Sequence, residues 1–134
     1  LRVVNTYKLH LIILIAVFVI VTLACGGRVF TELHVYSATP NPIEQVYNPS
    51  TDEILAENVW VFRPDGSFEA VVKHGNQQYL LSGDYEGDSD GRGFFFFLDT
   101  TGDGKFDEEV LLSDDDSYIE WQREGQTIRY VLVK

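Results

Sequence analysis

From residue 57 to the end of the chain, short apolar-rich runs alternate with clusters of turn-forming residues. The runs cover 58–62, 67–73, 77–85, 93–98, 108–112, 117–123 and 127–133. Between them stand clusters such as Arg63-Pro64-Asp65-Gly66, His74-Gly75-Asn76 and Glu124-Gly125-Gln126. Strand-length runs with turn signals at this spacing predict an antiparallel meander. Strict alternation supports it: Phe68, Ala70 and Val72 oppose Glu69, Val71 and Lys73. Ile119 and Trp121 likewise oppose Tyr118, Glu120 and Gln122, and Ile128, Tyr130 and Leu132 oppose Thr127, Arg129 and Val131. No window sustains a 3.6-residue period over the length of a globular helix. The fold class is therefore all-β, with about seven or eight strands. Closure into a small closed or half-open barrel removes exposed edges.

The stretch before residue 57 reads differently. Pro40, Pro42 and Pro49, three of the four prolines, fall within 26–56. Proline removes an amide donor and biases its predecessor towards extended conformations. The expectation is a poorly packed, Pro-rich arm that adds one strand, over 29–35, or a short helix around 51–57. Phe94-Phe95-Phe96-Phe97 is apolar on both faces of its strand. It reads either as a central strand covered on both sides, by the arm for instance, or as one whose second face lines a cavity or docking patch.

The amino end has a third pattern. Arg2 and Lys8 precede an unbroken run of eleven apolar residues, Leu11 to Val21, and then Thr22-Leu23-Ala24-Cys25-Gly26-Gly27. A charged segment, a short apolar core and a small-residue junction describe a secretory signal peptide over 1–24, helical in its apolar part. The run is shorter than the roughly 20 residues a membrane span requires. The junction resembles the lipobox of bacterial lipoproteins, with Ala24 before Cys25, although Thr22 stands where leucine is usual. That resemblance implies cleavage before Cys25, a diacylglyceryl thioether on its sulfur and a fatty acyl group such as palmitate on the new amino terminus. Several acyl chains together hold a protein stably on a bilayer. It also implies the periplasmic face of the outer membrane in a Gram-negative cell, since Gly26 rather than Asp follows the cysteine, and the cell surface in a Gram-positive one.

Charge and composition narrow the classes. The chain has 10 basic and 21 acidic residues, a net −11. Arg2 and Lys8 fall in the signal segment and no acid does, so residues 25–134 carry 8 basic and 21 acidic residues, a net −13. A surface of that sign argues against nucleic acid as a partner. A single cysteine excludes an internal disulfide and a cysteine-based zinc cluster.

Asn58-Val59-Trp60-Val61-Phe62-Arg63-Pro64-Asp65-Gly66-Ser67-Phe68, then Leu81-Ser82-Gly83-Asp84-Tyr85 and finally Ile128-Arg129-Tyr130-Val131-Leu132, resemble small bacterial lipocalin-like domains. The resemblance spans 57–134. It implies a cup-shaped barrel that holds an apolar small molecule. Trp60, Phe62, Phe94, Phe96, Trp121 and Tyr130 are the candidate lining.

Twelve of the acids lie between Asp84 and Asp116, against only Arg92 and Lys105. Within that stretch Asp99, Thr101, Asp103, the Lys105 carbonyl and Asp107 occupy alternate positions around Gly104, a candidate calcium loop. Calcium takes six to eight oxygen ligands from such a spacing. The usual acidic residue at the twelfth position is replaced by Val110, with Glu108 and Glu109 beside it. The competing reading is a solvated hairpin loop whose Asp-Gly steps permit positive φ. Asp84, Glu86, Asp88 and Asp90 form a weaker second candidate, and Asp114-Asp115-Asp116 reads as a charged turn.

Catalytic motifs are missing: there is no Gly-x-Ser-x-Gly, no His-Glu-x-x-His and no Walker loop. His34 and His74 are far apart in sequence and read as surface or strand histidines rather than as a general base. The expectation is a monomeric, non-catalytic lipoprotein, tethered to the membrane through Cys25, that binds an apolar small molecule. The alternative is an acidic interaction or structural protein that engages calcium or a basic protein of the cell envelope.

Overall fold

Alternation turns one face of each run away from water, and the runs then pair in sequence order. The computed structural model describes residues 27–134. Its elements are β1 (His34–Ser37), α1 (Ile43–Val46), β2 (Tyr47–Asn48), β3 (Glu53–Ile54), β4 (Val59–Phe62), β5 (Ser67–His74), β6 (Gln77–Ser89), β7 (Phe94–Asp99), β8 (Glu108–Leu112), β9 (Tyr118–Arg123) and β10 (Gln126–Leu132). Strands β4 to β10 form an antiparallel meander, and β1 closes it between β10 and β4 into an eight-stranded barrel. The all-β meander and its closure are as expected from the pattern. The signal segment 1–24 and Cys25 lie outside the described residues.

Register places the large side chains inside. Phe62 stands opposite Phe68, Trp60 opposite Ala70 and Tyr36, and Tyr130 opposite Ile119. Phe68, Ala70, Val72, Ile119 and Trp121 are buried, while their alternating neighbours meet solvent or the outer wall. The interior is therefore aromatic and continuous from one end of the barrel to the other.

The arm departs from its expectation. Its strand begins at His34, later than 29–35 suggests, and it completes the barrel. The helical turn lies at Ile43–Val46, where Pro42 supplies a pre-set φ of −58° just before it. Residues around 51–57 instead form a small β2–β3 hairpin, turned at Asp52 with φ of 55°. The arm is exposed along most of its length and pinned at a few buried positions. Val46 and Tyr47 bury against Val35, Val59 and Val61 on the outer face of β1 and β4, a second, aliphatic core. Each such fully buried side chain is worth about 1.5–3 kcal/mol relative to exposure. All four residues of β4 are consequently buried.

Strand β6 runs on to Ser89, four residues past the apolar pattern. Gly83 permits this. The first half of β6 pairs with β5 and the second with β7, and at the bend a Cβ on Gly83 would overlap the Asp99 carbonyl oxygen. The four phenylalanines of β7 alternate as expected. Phe94 and Phe96 face inward, but the outer pair is covered by Arg92, 4.3 Å over the Phe95 ring, and by Phe106, 6.0 Å from Phe97, not by the arm.

Candidate ligand site at the barrel mouth

Two ends of the barrel can be distinguished. At the mouth, β4 turns into β5, β6 into β7 and β8 into β9; at the far end, β5 turns into β6 and β9 into β10. The chain enters at the mouth. Arg28 exchanges both backbone hydrogen bonds with Gly87 on the extension of β6, at 3.0 and 2.7 Å. A side chain at Gly87 would strike the Phe94 and Phe96 rings, so the residue that carries the strap is held to glycine by the rings beside it. Two residues on, Phe30 inserts into the opening. Its ring stacks on His34 at 3.7 Å and meets Phe96 at 4.9 Å and Phe62 at 6.1 Å.

Buried tyrosines tie the mouth together. The Tyr85 hydroxyl donates to the Arg63 carbonyl at 2.8 Å and accepts from the Phe30 amide at 3.0 Å. The Tyr36 hydroxyl donates to the Asp116 carbonyl at 2.9 Å, across 80 residues of sequence. Burial pushes both phenols above their ordinary range, and for Tyr36 the neighbouring Asp116 adds to the shift. Beside Phe30 the interior opens into a depression of about 340 Å³, lined on one side by apolar residues such as Phe94, Phe96 and Leu112 and in equal number by polar ones, among them Arg28, Asp114 and Asp116. Arg28 reaches over the Phe94 ring at 5.9 Å. A larger depression on the outer wall, about 540 Å³ between Arg92 and Gln122, is lined mainly by charged and polar side chains.

Of the six residues expected to line a cup, Trp60, Phe62, Phe96, Trp121 and Tyr130 belong to the fully buried interior, and Phe94 packs against it from the mouth. Their rings fill much of the space they enclose: Trp60 lies 5.8 Å from Trp121, 5.9 Å from Tyr130 and 6.0 Å from Phe62. Accessible space therefore lies at the mouth, beside Phe94 and Phe96. Phe30, Arg28 and Leu112 were missed in the sequence. Phe30 sits in a stretch legible only as a short apolar strand, and three of its partners, Phe62, Tyr85 and Phe96, lie 32, 55 and 66 positions away.

The acidic loop folds on itself. Asp99, 4 % exposed, accepts the amide protons of Thr101, Gly102 and Gly104 at 3.1, 2.8 and 2.8 Å. Burial works to raise its carboxyl pKa, and those three amides outweigh it and hold the group below the ordinary range. Asp107 accepts from the amide and hydroxyl of Thr100, and Asp103 from the amide of Lys105. Glu108 and Glu109 are paired with Arg123 and Arg92. Among the described residues, no group of three or more His, Cys, Asp or Glu is arranged to hold a metal ion. Asp84, Glu86 and Asp88 lie on β6, not in a loop, as a row of exposed carboxylates, and Asp90 is paired with Arg92. His34 is taken up by Phe30 and the Glu32 carbonyl, and His74 by Gln126 and Glu124.

No family model, curated protein or solved structure matches this chain. Its chemistry has to be read from the barrel itself.

Proposed function

We propose that this protein is a lipid-anchored, extracytoplasmic and non-catalytic binding module that takes an apolar small molecule at the barrel mouth. The observation that carries the reading is the depression beside Phe30, where Phe94, Phe96 and Leu112 bring the hydrophobic interior out to the surface against a polar wall. Small-molecule sites are concave and largely apolar, with a few polar groups at fixed positions. Arg28 and Asp114 meet that description at the rim. The tether proposed from the sequence agrees with this placement. Cys25 precedes Arg28 by three residues, at most about 11 Å of chain. A lipid on that cysteine would hold the mouth next to the bilayer, the phase in which an apolar molecule concentrates.

The test is a fluorescence titration of the full chain with the uncharged fluorophore N-phenyl-1-naphthylamine. We expect saturable enhancement with one site, weakened about tenfold or more, some 1.4 kcal/mol, by Phe94→Glu at the rim. Enhancement that fails to saturate, or that Phe94→Glu leaves unchanged, would overturn the reading.

One observation favours the alternative of an envelope interaction protein. The exposed row of Asp84, Glu86 and Asp88 along β6 offers a basic partner protein a regularly spaced acidic face. Salt-sensitive capture of such a partner, abolished by charge reversal of that row, would support it.

A further inference from the structure

Among the described residues, every buried side chain of the barrel interior except Phe30 stands on a strand. A strand residue cannot leave the interior without breaking its ladder. Phe30 instead hangs on a strap whose neighbouring residues, 27–29 and 31–33, are all exposed. Two ties hold the strap: the Arg28–Gly87 backbone pair, and the Phe30 amide, which donates to the Tyr85 hydroxyl at 3.0 Å. A segment with one buried side chain and few hydrogen bonds opens locally while the rest of the fold stays intact.

Withdrawal of Phe30 uncovers a socket of defined chemistry. The Phe30 ring stacks on His34 at 3.7 Å, with 7° between the planes. Phe96 and Phe62 meet it edge to face, both at 72°, from 4.9 and 6.1 Å. Tyr36 and Tyr85 complete the surround, each at 6.4 Å. Stacked and edge-to-face neighbours suit the quadrupole of an aromatic ring, which an aliphatic chain lacks. The socket also has one polar position. The Tyr85 hydroxyl gives its proton to the Arg63 carbonyl at 2.8 Å, so towards Phe30 it accepts. A group that replaces Phe30 has to bring an N–H or O–H donor or leave that oxygen without one. A charge is disfavoured there, because Phe30 is only 9 % exposed and taking an unpaired ion out of water is costly.

We propose that Phe30 is an internal plug that stands in for the ligand. The socket of His34, Tyr36, Phe62, Tyr85 and Phe96 binds the aromatic ring of an uncharged small molecule carrying an N–H or O–H donor, and the strap moves aside to admit it. This assignment rests on the function proposed above and narrows its ligand from apolar to aromatic. Phe30 is also part of the wall of the 340 Å³ depression, so its departure joins socket and depression into one site. The ring and its donor enter the socket, and the remainder of the molecule lies in the depression. A competing plug weakens the apparent affinity in proportion to the fraction of molecules whose strap is open.

The probe is N-(2-phenylethyl)acetamide, which carries a phenyl ring and an amide N–H at the spacing found in phenylalanine. Its Kd is measured by ¹⁵N chemical-shift titration of the full chain in detergent, beside that of Phe30→Ala. With an open fraction of about one in ten or less, Phe30→Ala should bind it about tenfold or more tightly than the wild type. Methylation of the amide nitrogen removes the donor and should weaken binding about tenfold, a difference that Tyr85→Phe erases. In the wild type, the probe's ring protons should give NOEs to the Phe62 and Phe96 side chains, and amide exchange at Phe30 should quicken. These wild-type signals decide alone if Phe30→Ala does not fold. No gain in affinity in a folded Phe30→Ala, or no NOE from the probe to Phe62 and Phe96, would overturn the proposal. A fluorophore that still saturates at the mouth while the amide fails strikes the plug alone; failure of the fluorophore titration strikes the mouth reading itself.

Discussion

The two ends of this barrel use the same residue types in opposite ways. At the mouth, buried tyrosines reach outward and fasten loops: Tyr36 takes the carbonyl of Asp116, and Tyr85 takes that of Arg63 while holding the Phe30 amide. At the far end, Trp60, Trp121 and Tyr130 are buried whole among one another's rings, and none of their polar atoms reaches a loop carbonyl among the described residues. That end is sealed by Tyr79, edge-on to Trp121 at 6.0 Å, and by Arg123, 4.6 Å over the Tyr79 ring. The mouth is entered by Phe30, on a strap joined to β6 at Arg28. The difference teaches that burial alone does not give an aromatic residue its role. The hydroxyl of a buried tyrosine either ties distant loops together, as at Tyr36 and Tyr85, or stays within the ring packing, as at Tyr130.

The comparison can be broken from either end. The largest effect is expected at the sealed end. Trp121→Ala removes a fully buried indole and should cost about 3–5 kcal/mol in urea unfolding, because the ring's neighbours cannot collapse into its volume. Gly83→Ala should come next, at about 2–3 kcal/mol, since its backbone has φ of 150° and the new methyl meets the Asp99 carbonyl. Phe30→Ala should cost less, about 1–2 kcal/mol, because the strap can open without the barrel. Its distinguishing sign is faster amide exchange at Arg28 and Gly87, with the far end unaffected.

Tyr36→Phe should cost about 1 kcal/mol, the price of one buried hydrogen bond to a loop carbonyl. Acid should act most gently and at the mouth first. The hydroxyl and amide of Ser67 hold Asp65 below the ordinary carboxylate range, and those of Ser117 do the same for Asp115. A depressed folded pKa contributes stability that is present above the unfolded value and is lost as pH falls through the folded one. Between pH 4 and pH 2, exchange of the Ser67 and Ser117 amides should therefore accelerate before that of β9 and β10.

Much of the fold was legible because it depends on local pattern. The runs at 108–112 and 67–73 reappear as β8 and β5 nearly residue for residue, since alternation and turn residues act over a few positions. What escaped depends on distant contacts. β1 is only four residues long, and its place is set by pairing with Phe62 and Leu132 rather than by its own composition. The arm looked loose because prolines dominate it, whereas the valines that bury it lie on β1 and β4. The aromatic residues named for the site do gather in the interior, but spacing along strands cannot tell a lining from a filling. That depends on ring packing around Trp60 and on Phe30 arriving from outside the meander. The acidic loop has the spacing of a calcium site, and in this structure Asp99 accepts the amides of its own loop, contacts that spacing alone does not reveal.

The central claim is that apolar molecules are received at the mouth. Amide chemical-shift mapping of the ¹⁵N-labelled full chain during titration with N-phenyl-1-naphthylamine tests it most directly. The account predicts that Phe30, Phe94, Phe96, Leu112 and Ser113 shift together and saturate at one concentration. Shifts confined to the outer wall around Leu80 and Ile54, where Leu80 is 75 % exposed, or no shifts at all, would contradict it.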